Sequence, residues 1–230
     1  QAEDGIRDVE RSRGLGDVYK RQGYGMNVDD GWVNLMNQTL RQRELPYLMV
    51  NASISGETTM GGLKRLPDLL QEHAPSIVVI ELGGNDGLRG YPTTKIRDNL
   101  LTMTDLVKAA GAQPVIITMR IPPNYGPRYT EPFYALFGEI AEVMRLPFVP
   151  FLIDGIPQQP ELMQDDGIHP KAEAQFMILD NVWPILAPML RTNPDLRLMH
   201  NSALCGSTGG LSFQGVQHEC GREIASSNDE

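Results

Sequence analysis

The sequence predicts an α/β fold with a doubly wound parallel sheet, and two observations carry this prediction. Short apolar runs recur along residues 23–190, and longer segments with helical periodicity separate them. Uninterrupted apolar runs are typical of parallel strands that are buried on both faces. Alternating strands and helices favour right-handed crossovers in a layered sheet. We therefore expect ligands to bind beyond the carboxyl ends of the strands.

Four apolar runs are the candidate strands of this sheet. They span residues 47–51, 77–82, 115–119 and 148–152. The second run is rich in β-branched residues, which suit a pleated and buried surface. The fourth run is the weakest, because Pro150 removes a donor from the hydrogen-bond ladder.

Apolar stripes at steps of three and four residues predict the helices. A first helix is expected to begin at a cap formed by Asp29 or Asp30 and to continue through Trp32, Leu35 and Met36. Gly111 is a candidate C-cap for a later helix. We interpret the stripes as core packing. Their positions are Ile96, Leu100, Met103, Val107 and Ala110; Phe133, Phe137, Ile140 and Met144; and Phe176, Leu179, Trp183, Leu186 and Leu190.

Composition and charge narrow the class of protein. The 230 residues suit one α/β domain, and a hydrophobic fraction of 41% is enough for a substantial core. The net charge of -9 argues against nucleic acid or an anionic membrane as a main partner, because both select basic surfaces. The sequence shows no apolar run near the ~20 residues that span a bilayer, hence no transmembrane segment, and no recognisable signal peptide.

The two ends of the chain differ in character from residues 23–190. Residues 1–22 are charged and lack a sustained apolar period; they resemble a translated sequencing adapter, and we expect them to be non-native. Residues 191–230 are expected to be disordered or non-native. This tail holds four residues of metal-ligand type, but their spacing matches no usual zinc pattern, so we expect no metal site: His200, Cys205, His218 and Cys220.

Polar residues gather in the turns that follow the candidate strands. Asp166 and His169 have a spacing at which a carboxylate can orient an imidazole and leave its other nitrogen to act as a base. A helix-capping aspartate beside an ordinary surface histidine is the alternative for this pair. Asn85 offers a side-chain N–H, and Gly56 a backbone N–H, to a developing oxyanion. Ordinary turn chemistry is the alternative for both.

Four segments, in this order, resemble the SGNH (GDSL-type) hydrolase family, most closely its bacterial thioesterases, lysophospholipases and arylesterases. They read NASISGETTMGGLKRLPDLL, IVVIELGGNDGLRG, IPPNYGPRYTEPF and QDDGIHPKAEAQ, and the resemblance covers residues 23–190. It implies a flavodoxin-like sheet that hydrolyses a small acyl ester, thioester or lysophospholipid through an acyl-enzyme. It implies no metal, no organic cofactor and a periplasmic or secreted location, and it leaves the oligomeric state open.

The resemblance also assigns roles to residues at matching positions. Asp166 and His169 become two members of a catalytic triad, and Gly56 and Asn85 take positions in the oxyanion hole. The acyl site is then bordered by three substrate-binding residues of one loop: Leu88, Arg89 and Tyr91. A triad of this kind needs a serine as its nucleophile.

The family's first block, an apolar strand followed by Gly-Asp-Ser-Leu-Ser, has no counterpart in this sequence. Counting forward from a Gly-Asp step places the nucleophile at Val18, counting back from Gly23 places it at Tyr19, and Ser12 lies upstream of both. We expect the sheet to lack its native first strand, between the first two candidate strands, and the chain to be marginally stable and inactive. The alternative is a non-catalytic pseudoenzyme that binds acyl chains.

Overall fold

The fold is seen in a computed structural model that describes residues 5–11 and 30–191. Along these residues the strands are β1 (Gly5–Arg11), β2 (Tyr47–Asn51), β3 (Ile77–Glu81), β4 (Gln113–Ile117) and β5 (Phe148–Val149). The α-helices are α1 (Trp32–Gln42), α2 (Thr59–His73), α3 (Gly84–Leu88), α4 (Thr93–Ala109), α5 (Pro127–Met144) and α6 (Gln175–Arg191).

The five strands form one sheet in the order β2-β1-β3-β4-β5. β3, β4 and β5 pair in parallel, whereas β1 pairs antiparallel with both β2 and β3. All five residues of β3 are buried, as expected for a central strand that is covered on both faces. The predicted α/β fold is confirmed, with one strand reversed.

The position between β2 and β3, where the native first strand was expected to be missing, is occupied by the antiparallel strand β1. In the ladder, Asp8 of β1 lies opposite Val50 on one side and Val78 on the other. The segment reads GIRDVER, and its many charges explain why apolar periodicity predicted no strand. Because β1 supplies backbone partners to both neighbours, the predicted loss of ladder hydrogen bonds is wrong. Low stability of the chain stays a prediction.

The other strands match their apolar runs with small differences. β2 has the predicted bounds, and β3 ends one residue early. β4 lies two residues before the predicted run 115–119, because its parallel partner β3 begins opposite Gln113. β5 has two residues instead of the five predicted, and Pro150 follows it directly.

The main core lies between the sheet and α2, α4 and α5. The rings of Phe133 and Phe137 meet edge to face at its centre, with centroids 5.4 Å apart. The predicted stripes of α4 and α5 are buried except for their last members: Ala110 is exposed, and Met144 only packs against the core. Ala110 is the C-cap of α4, and Gly111 follows it with φ +81°.

The start of α1 differs from its prediction. Gly31, not Asp30, is the N-cap residue, and Asp29 lies outside the described residues. The backbone N–H of Trp32 donates instead to Oε1 of Gln175 on α6, at 3.0 Å. A side chain from a distant helix thus does what a local cap was expected to do.

The buried face of α6 is only partly the predicted one, because Leu186 and Leu190 are buried as expected and the other three residues are not. Phe176 is 56% exposed, and Leu179 and Trp183 are half-buried, so these three are not core residues. The guanidinium of Arg43 lies 4.6 Å from the centroid of the Trp183 ring. α6 is apolar over much of its circumference, so spacing alone does not select its buried face. That face carries Ile178, Val182, Leu186 and Leu190.

The described residues all belong to a compact unit that spans Gln1–Thr192. A second unit, Asn193–Glu230, lies outside them, and so do the four metal-ligand types of the tail: His200, Cys205, His218 and Cys220. Over the described ranges, no group of three His, Cys, Asp or Glu side chains could hold a metal ion. No helix there has the length and apolar character of a bilayer span.

Candidate active site

A tight hairpin beyond β5 carries Asp166 and His169. Its base is a bridge between Met163 and Pro170, and the N–H of Gln164 donates to the carbonyl of His169 at 2.8 Å. Gly167 forms the tip with φ +66°, a conformation that glycine adopts without strain. The short loop therefore sets the relative position of the two side chains by itself.

Asp166 accepts three hydrogen bonds inside this hairpin. Oδ1 accepts the backbone N–H groups of Ile168 at 2.9 Å and His169 at 3.0 Å, and Oδ2 lies 2.6 Å from Nδ1 of the imidazole. Burial opposes ionisation, but these hydrogen bonds and the nearby imidazole outweigh it and lower the pKa of Asp166 to about 2. The carboxylate is ionised at neutral pH and can only accept, so Nδ1 must donate.

His169 is 7% exposed, which sets it apart from an ordinary surface histidine. With Nδ1 donating to Asp166, the neutral ring carries its lone pair on Nε2, the nitrogen that a general base uses. Asp166 does hold backbone N–H groups as a capping residue would, but α6 begins only at Gln175. The hairpin therefore places Asp166 against the imidazole of His169 and not at the start of that helix.

Gly56 lies in the turn between β2 and α2. Its φ of +76° belongs to the left-handed region that favours glycine. The turn is pinned by Arg65, which pairs with Glu57 through two nitrogens and also donates to the carbonyl of Ala52. Thr58 caps α2 by accepting the N–H of Gly61 at 3.3 Å. The backbone around Gly56 is therefore held from both sides.

Asn85 lies in the single turn α3, directly after β3, and is 2% exposed. Gly83 opens the turn with φ +116°. A Cβ on Gly87 would lie 2.8 Å from Ile121 and Phe133, so this glycine lets the turn sit directly on the core. Close packing thus fixes the height of Asn85 above the sheet.

Two contacts join the Gly56 turn to the Asn85 turn. Arg89 donates through Nη2 to the carbonyl of Gly56 at 3.1 Å. Asp86 accepts the backbone N–H and the hydroxyl of Thr59, at 2.8 and 2.6 Å. Burial raises the pKa of Asp86 even though Thr59 and Arg89 oppose that effect. The structure therefore brings these two predicted oxyanion residues onto neighbouring, connected turns.

The loop that follows Asn85 is held by two tyrosines. Tyr125 donates its hydroxyl to the carbonyl of Leu88 at 2.7 Å, and Tyr129 donates to the carbonyl of Tyr91. Leu88 packs against the core, whereas the side chain of Tyr91 is exposed. Of the predicted substrate-binding residues, Arg89 and Tyr91 are therefore open to solvent, and Leu88 is partly structural.

Three buried or half-buried residues of this region were missed by the sequence analysis. They are Thr59, Asp86 and Asn99, whose Nδ2 donates to the hydroxyl of Thr59 at 2.9 Å. Their separations of 27 and 40 residues leave no local signal, although the Gly-Asn-Asp-Gly turn did mark the neighbourhood. The candidate nucleophile positions Ser12, Val18 and Tyr19 lie outside the described residues.

Comparisons with known proteins identify the family to which the chain belongs. The model of the GDSL-like Lipase/Acylhydrolase family matches residues 19–175, well over half of the chain. The chain belongs to this family. The resemblance drawn from the four sequence segments is thereby confirmed, and as a GDSL-like acylhydrolase the protein belongs to a class of ester and thioester hydrolases.

Three relatives show how far the GDSL-like similarity extends. Esterase TesA of Pseudomonas aeruginosa is 46% identical over 166 residues, covering 72% of this chain and 83% of the relative. An arylesterase of Vibrio mimicus is 44% identical over 160 residues, covering 70% and 80%. Thioesterase 1/protease 1/lysophospholipase L1 of Escherichia coli K12 is 42% identical over 168 residues, covering 73% and 79%.

Solved structures give the same result for the GDSL-like fold. The crystal structure of TesA covers 72% of this chain and 92% of its own, with a TM-score of 0.69 and 46% identity. The psychrotrophic esterase EstA from Pseudoalteromonas sp., inhibited by monoethylphosphonate, covers 74% and 92%, with a TM-score of 0.70 and 38% identity.

Proposed function

We propose that this domain carries the acid–base pair and the oxyanion hole of a serine ester hydrolase. His169 is the general base, Asp166 orients it, and Gly56 and Asn85 donate to the oxyanion. The observation that carries the proposal is the 2.6 Å bond between Asp166 and the buried imidazole of His169. The substrate is a small acyl ester or thioester, in line with the names of the relatives.

The geometry supports the following sequence of steps. A serine hydroxyl attacks the acyl carbonyl while Nε2 of His169 takes its proton, and Asp166 stabilises the imidazolium that forms. The backbone N–H of Gly56 and the side-chain amide of Asn85 donate hydrogen bonds to the carbonyl oxygen and stabilise the negative charge that develops on it. His169 then protonates the leaving group, and water attacks the acyl-enzyme with His169 again as base. None of these steps uses a metal or an organic cofactor.

The chain as written is proposed to lack the nucleophile, because Val18 and Tyr19 stand at the two counted positions. A second candidate function follows from the same observation: the protein is a pseudoenzyme that binds acyl chains without cleaving them. We favour the hydrolase, since a binder has no need of an oriented imidazole. A periplasmic or secreted location remains a prediction from the family resemblance.

Replacement of residues 1–22 by an apolar strand ending in Gly-Asp-Ser-Leu-Ser tests the proposal. We expect the grafted protein to hydrolyse p-nitrophenyl esters and acyl thioesters about 10⁶-fold faster than the unaltered chain, the usual effect of a triad serine on kcat. The matched control is the same graft with Gly-Asp-Ala-Leu-Ser, and His169→Ala should abolish the gain.

Two outcomes would contradict these expectations. Equal rates for the serine and alanine grafts would count against the hydrolase and in favour of the acyl-binding pseudoenzyme. Turnover by the unaltered chain that His169→Ala abolishes would show that the missing serine does not silence it.

A further inference from the structure

One buried carboxylate near the proposed oxyanion hole has no role in the steps above. Asp86 is 2% exposed, and both of its oxygens are directed at Thr59, which is fully buried. A buried carboxylate is costly unless hydrogen bonds compensate it. Here the compensation comes from the first residue of α2, where helix N–H groups and the helix dipole favour a negative charge.

The hydrogens in this cluster are fixed by its chemistry. Nδ2 of Asn99 can only donate, so the hydroxyl of Thr59 accepts from it at 2.9 Å. The same hydroxyl must then donate its hydrogen to Oδ1 of Asp86, at 2.6 Å. The resulting chain from Asn99 to Thr59 to Asp86 links α4, α2 and α3 in one arrangement.

The cluster lies at the point where the two proposed oxyanion donors are joined. Asp86 directly follows Asn85, and Thr59 comes three residues after Gly56. Gly87 anchors the Asn85 turn on the core, and Arg89 holds the carbonyl of Gly56. The hydrogen bonds between Asp86 and Thr59 therefore connect the two segments that carry these donors.

We propose that Asp86 is a positioning residue, which acts through Thr59 to hold Gly56 and Asn85 at the separation that an oxyanion requires. This inference rests on the proposed function of those two residues. Donors to an oxyanion are effective because they are held in place before the charge develops. A misplacement of about 1 Å is enough to cost on the order of 100-fold in rate.

The test uses the full chain and its binding of octanoate, with octanol as the comparison ligand. A carboxylate oxygen needs the oxyanion donors, whereas the hydroxyl of octanol needs them far less, and the alkyl chain is the same. Thr59→Val keeps the shape and backbone N–H but removes the hydroxyl. We expect it to raise the Kd for octanoate about tenfold in calorimetric titrations, and to change the Kd for octanol less than twofold.

Conservative variants sharpen the result. Thr59→Ser restores the hydroxyl and should return octanoate binding to within twofold of the parent. Asp86→Asn keeps an acceptor for the Thr59 N–H, but its amide NH2 cannot accept the hydrogen of the Thr59 hydroxyl. Its effect on octanoate binding should therefore fall between those of Thr59→Val and Thr59→Ser. Thr104→Val is the matched control, because Thr104 is equally buried but bonds only within α4 to Leu100. The side-chain amide resonances of Asn85 should shift in Thr59→Val and not in Thr104→Val.

The possible outcomes separate the inference from the proposed function. Equal weakening of octanoate and octanol in Thr59→Val, or no weakening of either, overturns the positioning role. If Asn85→Ala weakens octanoate binding while Thr59→Val does not, the oxyanion hole stands and this inference alone is wrong. If Asn85→Ala has no effect, or the parent chain does not bind octanoate, the proposed function fails and the inference with it. If Asp86→Asn does not fold, the comparison of Thr59→Val with Thr59→Ser still tests the inference.

Discussion

The two parts of the candidate site are built in opposite ways. The acid–base part is one hairpin, in which Asp166 holds a histidine three residues away. The oxyanion part is assembled from distant segments, with hydrogen bonds that span 27, 33 and 40 residues. A local loop can form its geometry with little help from the fold. The oxyanion part depends on how the sheet and its helices come together.

This difference predicts which part of the site loses its geometry first when the fold is destabilised. The Gly56 and Asn85 turns follow β2 and β3, the two strands that flank β1, whereas the hairpin follows β5 at the far side of the sheet. Disturbing the centre of the sheet should therefore disrupt the oxyanion part before it reaches the hydrogen bond between Asp166 and His169.

Deletion of residues 1–11 should give the largest effect. It removes β1, and the N–H and C=O groups of β2 and β3 that face it lose their partners. Each unsatisfied group costs about 1–3 kcal/mol, and several together reach the about 5–15 kcal/mol that stabilises a typical domain. We expect loss of cooperative thermal unfolding, or aggregation, measured by calorimetry and size-exclusion chromatography.

Deletion of residues 1–4 alone keeps β1 and serves as the control. An unchanged melting temperature after deletion of residues 1–11 would mean that β1 contributes nothing to the sheet, and the proposed dependence of the oxyanion part on its centre would be lost.

Gly87→Ala should give a smaller effect, confined to the oxyanion part. The new Cβ would lie 2.8 Å from Ile121 and Phe133, and overpacking of this kind costs about 1–3 kcal/mol in the free energy of unfolding. Gly138→Ala is the matched control, because Gly138 lies in α5 with no heavy atom within 4 Å of its added Cβ. That variant should stabilise the protein by about 0.5–1 kcal/mol. Urea unfolding of both variants measures the contrast, and a neutral Gly87→Ala would show that α3 is free to shift.

Titration should distinguish the two parts of the site, because the pKa values of Asp166 and Asp86 are shifted in opposite directions. The expected effect on stability is smaller than those of the changes above. The pKa of Asp166 is lowered from its ordinary 3.8 to about 2, so its contribution to stability is present above pH ~4 and is lost as the pH falls toward 2. The pKa of Asp86 is raised, so its contribution is present when the group is protonated and is lost as the pH rises through that pKa. Carboxyl ¹³C shifts of both residues measure the two midpoints directly.

Asp166→Asn gives the matching stability measurement. After allowance for the solvent that reaches its 29% exposed side chain, Asp166 should contribute about 1 kcal/mol near pH 5. The difference in urea unfolding between parent and variant should therefore shrink between pH 4 and pH 2. A midpoint for Asp166 at or above its ordinary value would contradict the assigned hydrogen bonds.

The sequence predicted the elements whose causes are local. The runs 47–51 and 77–82 became β2 and β3 almost unchanged, because an apolar strand is determined by its own residues. The turns that hold Gly56 and Asn85, and the spacing of Asp166 and His169, could also be identified, since glycine, asparagine and aspartate mark turns. These features need no knowledge of the remainder of the fold.

The features that escaped prediction depend on contacts made across the fold. The charged strand β1 forms because β2 and β3 provide backbone hydrogen-bond partners on both of its sides. The amino acids of β1 alone give no sign of this pairing. The N–H of Trp32 finds Gln175 at a separation of 143 residues, so no local cap was needed. The sequence indicates only that Asp86 lies in a turn. Its hydrogen bonds to Thr59 depend on how α2 packs beside α3 and α4 in the fold.

Because β1 runs antiparallel to β2 and β3, its C-terminal end lies at the opposite end of the sheet from the carboxyl ends of these two strands. Gly5 lies opposite Glu81, at the carboxyl end of β3, whereas Arg11 lies opposite Tyr47, the first residue of β2. At about 3.4 Å per residue, Arg11 is about 20 Å from the edge where β2 and β3 deliver Gly56 and Asn85. A serine joined closely to Arg11 would start from the wrong side of the sheet. Re-engineering the enzyme therefore requires a strand of opposite polarity, because a single side-chain replacement cannot turn the backbone around.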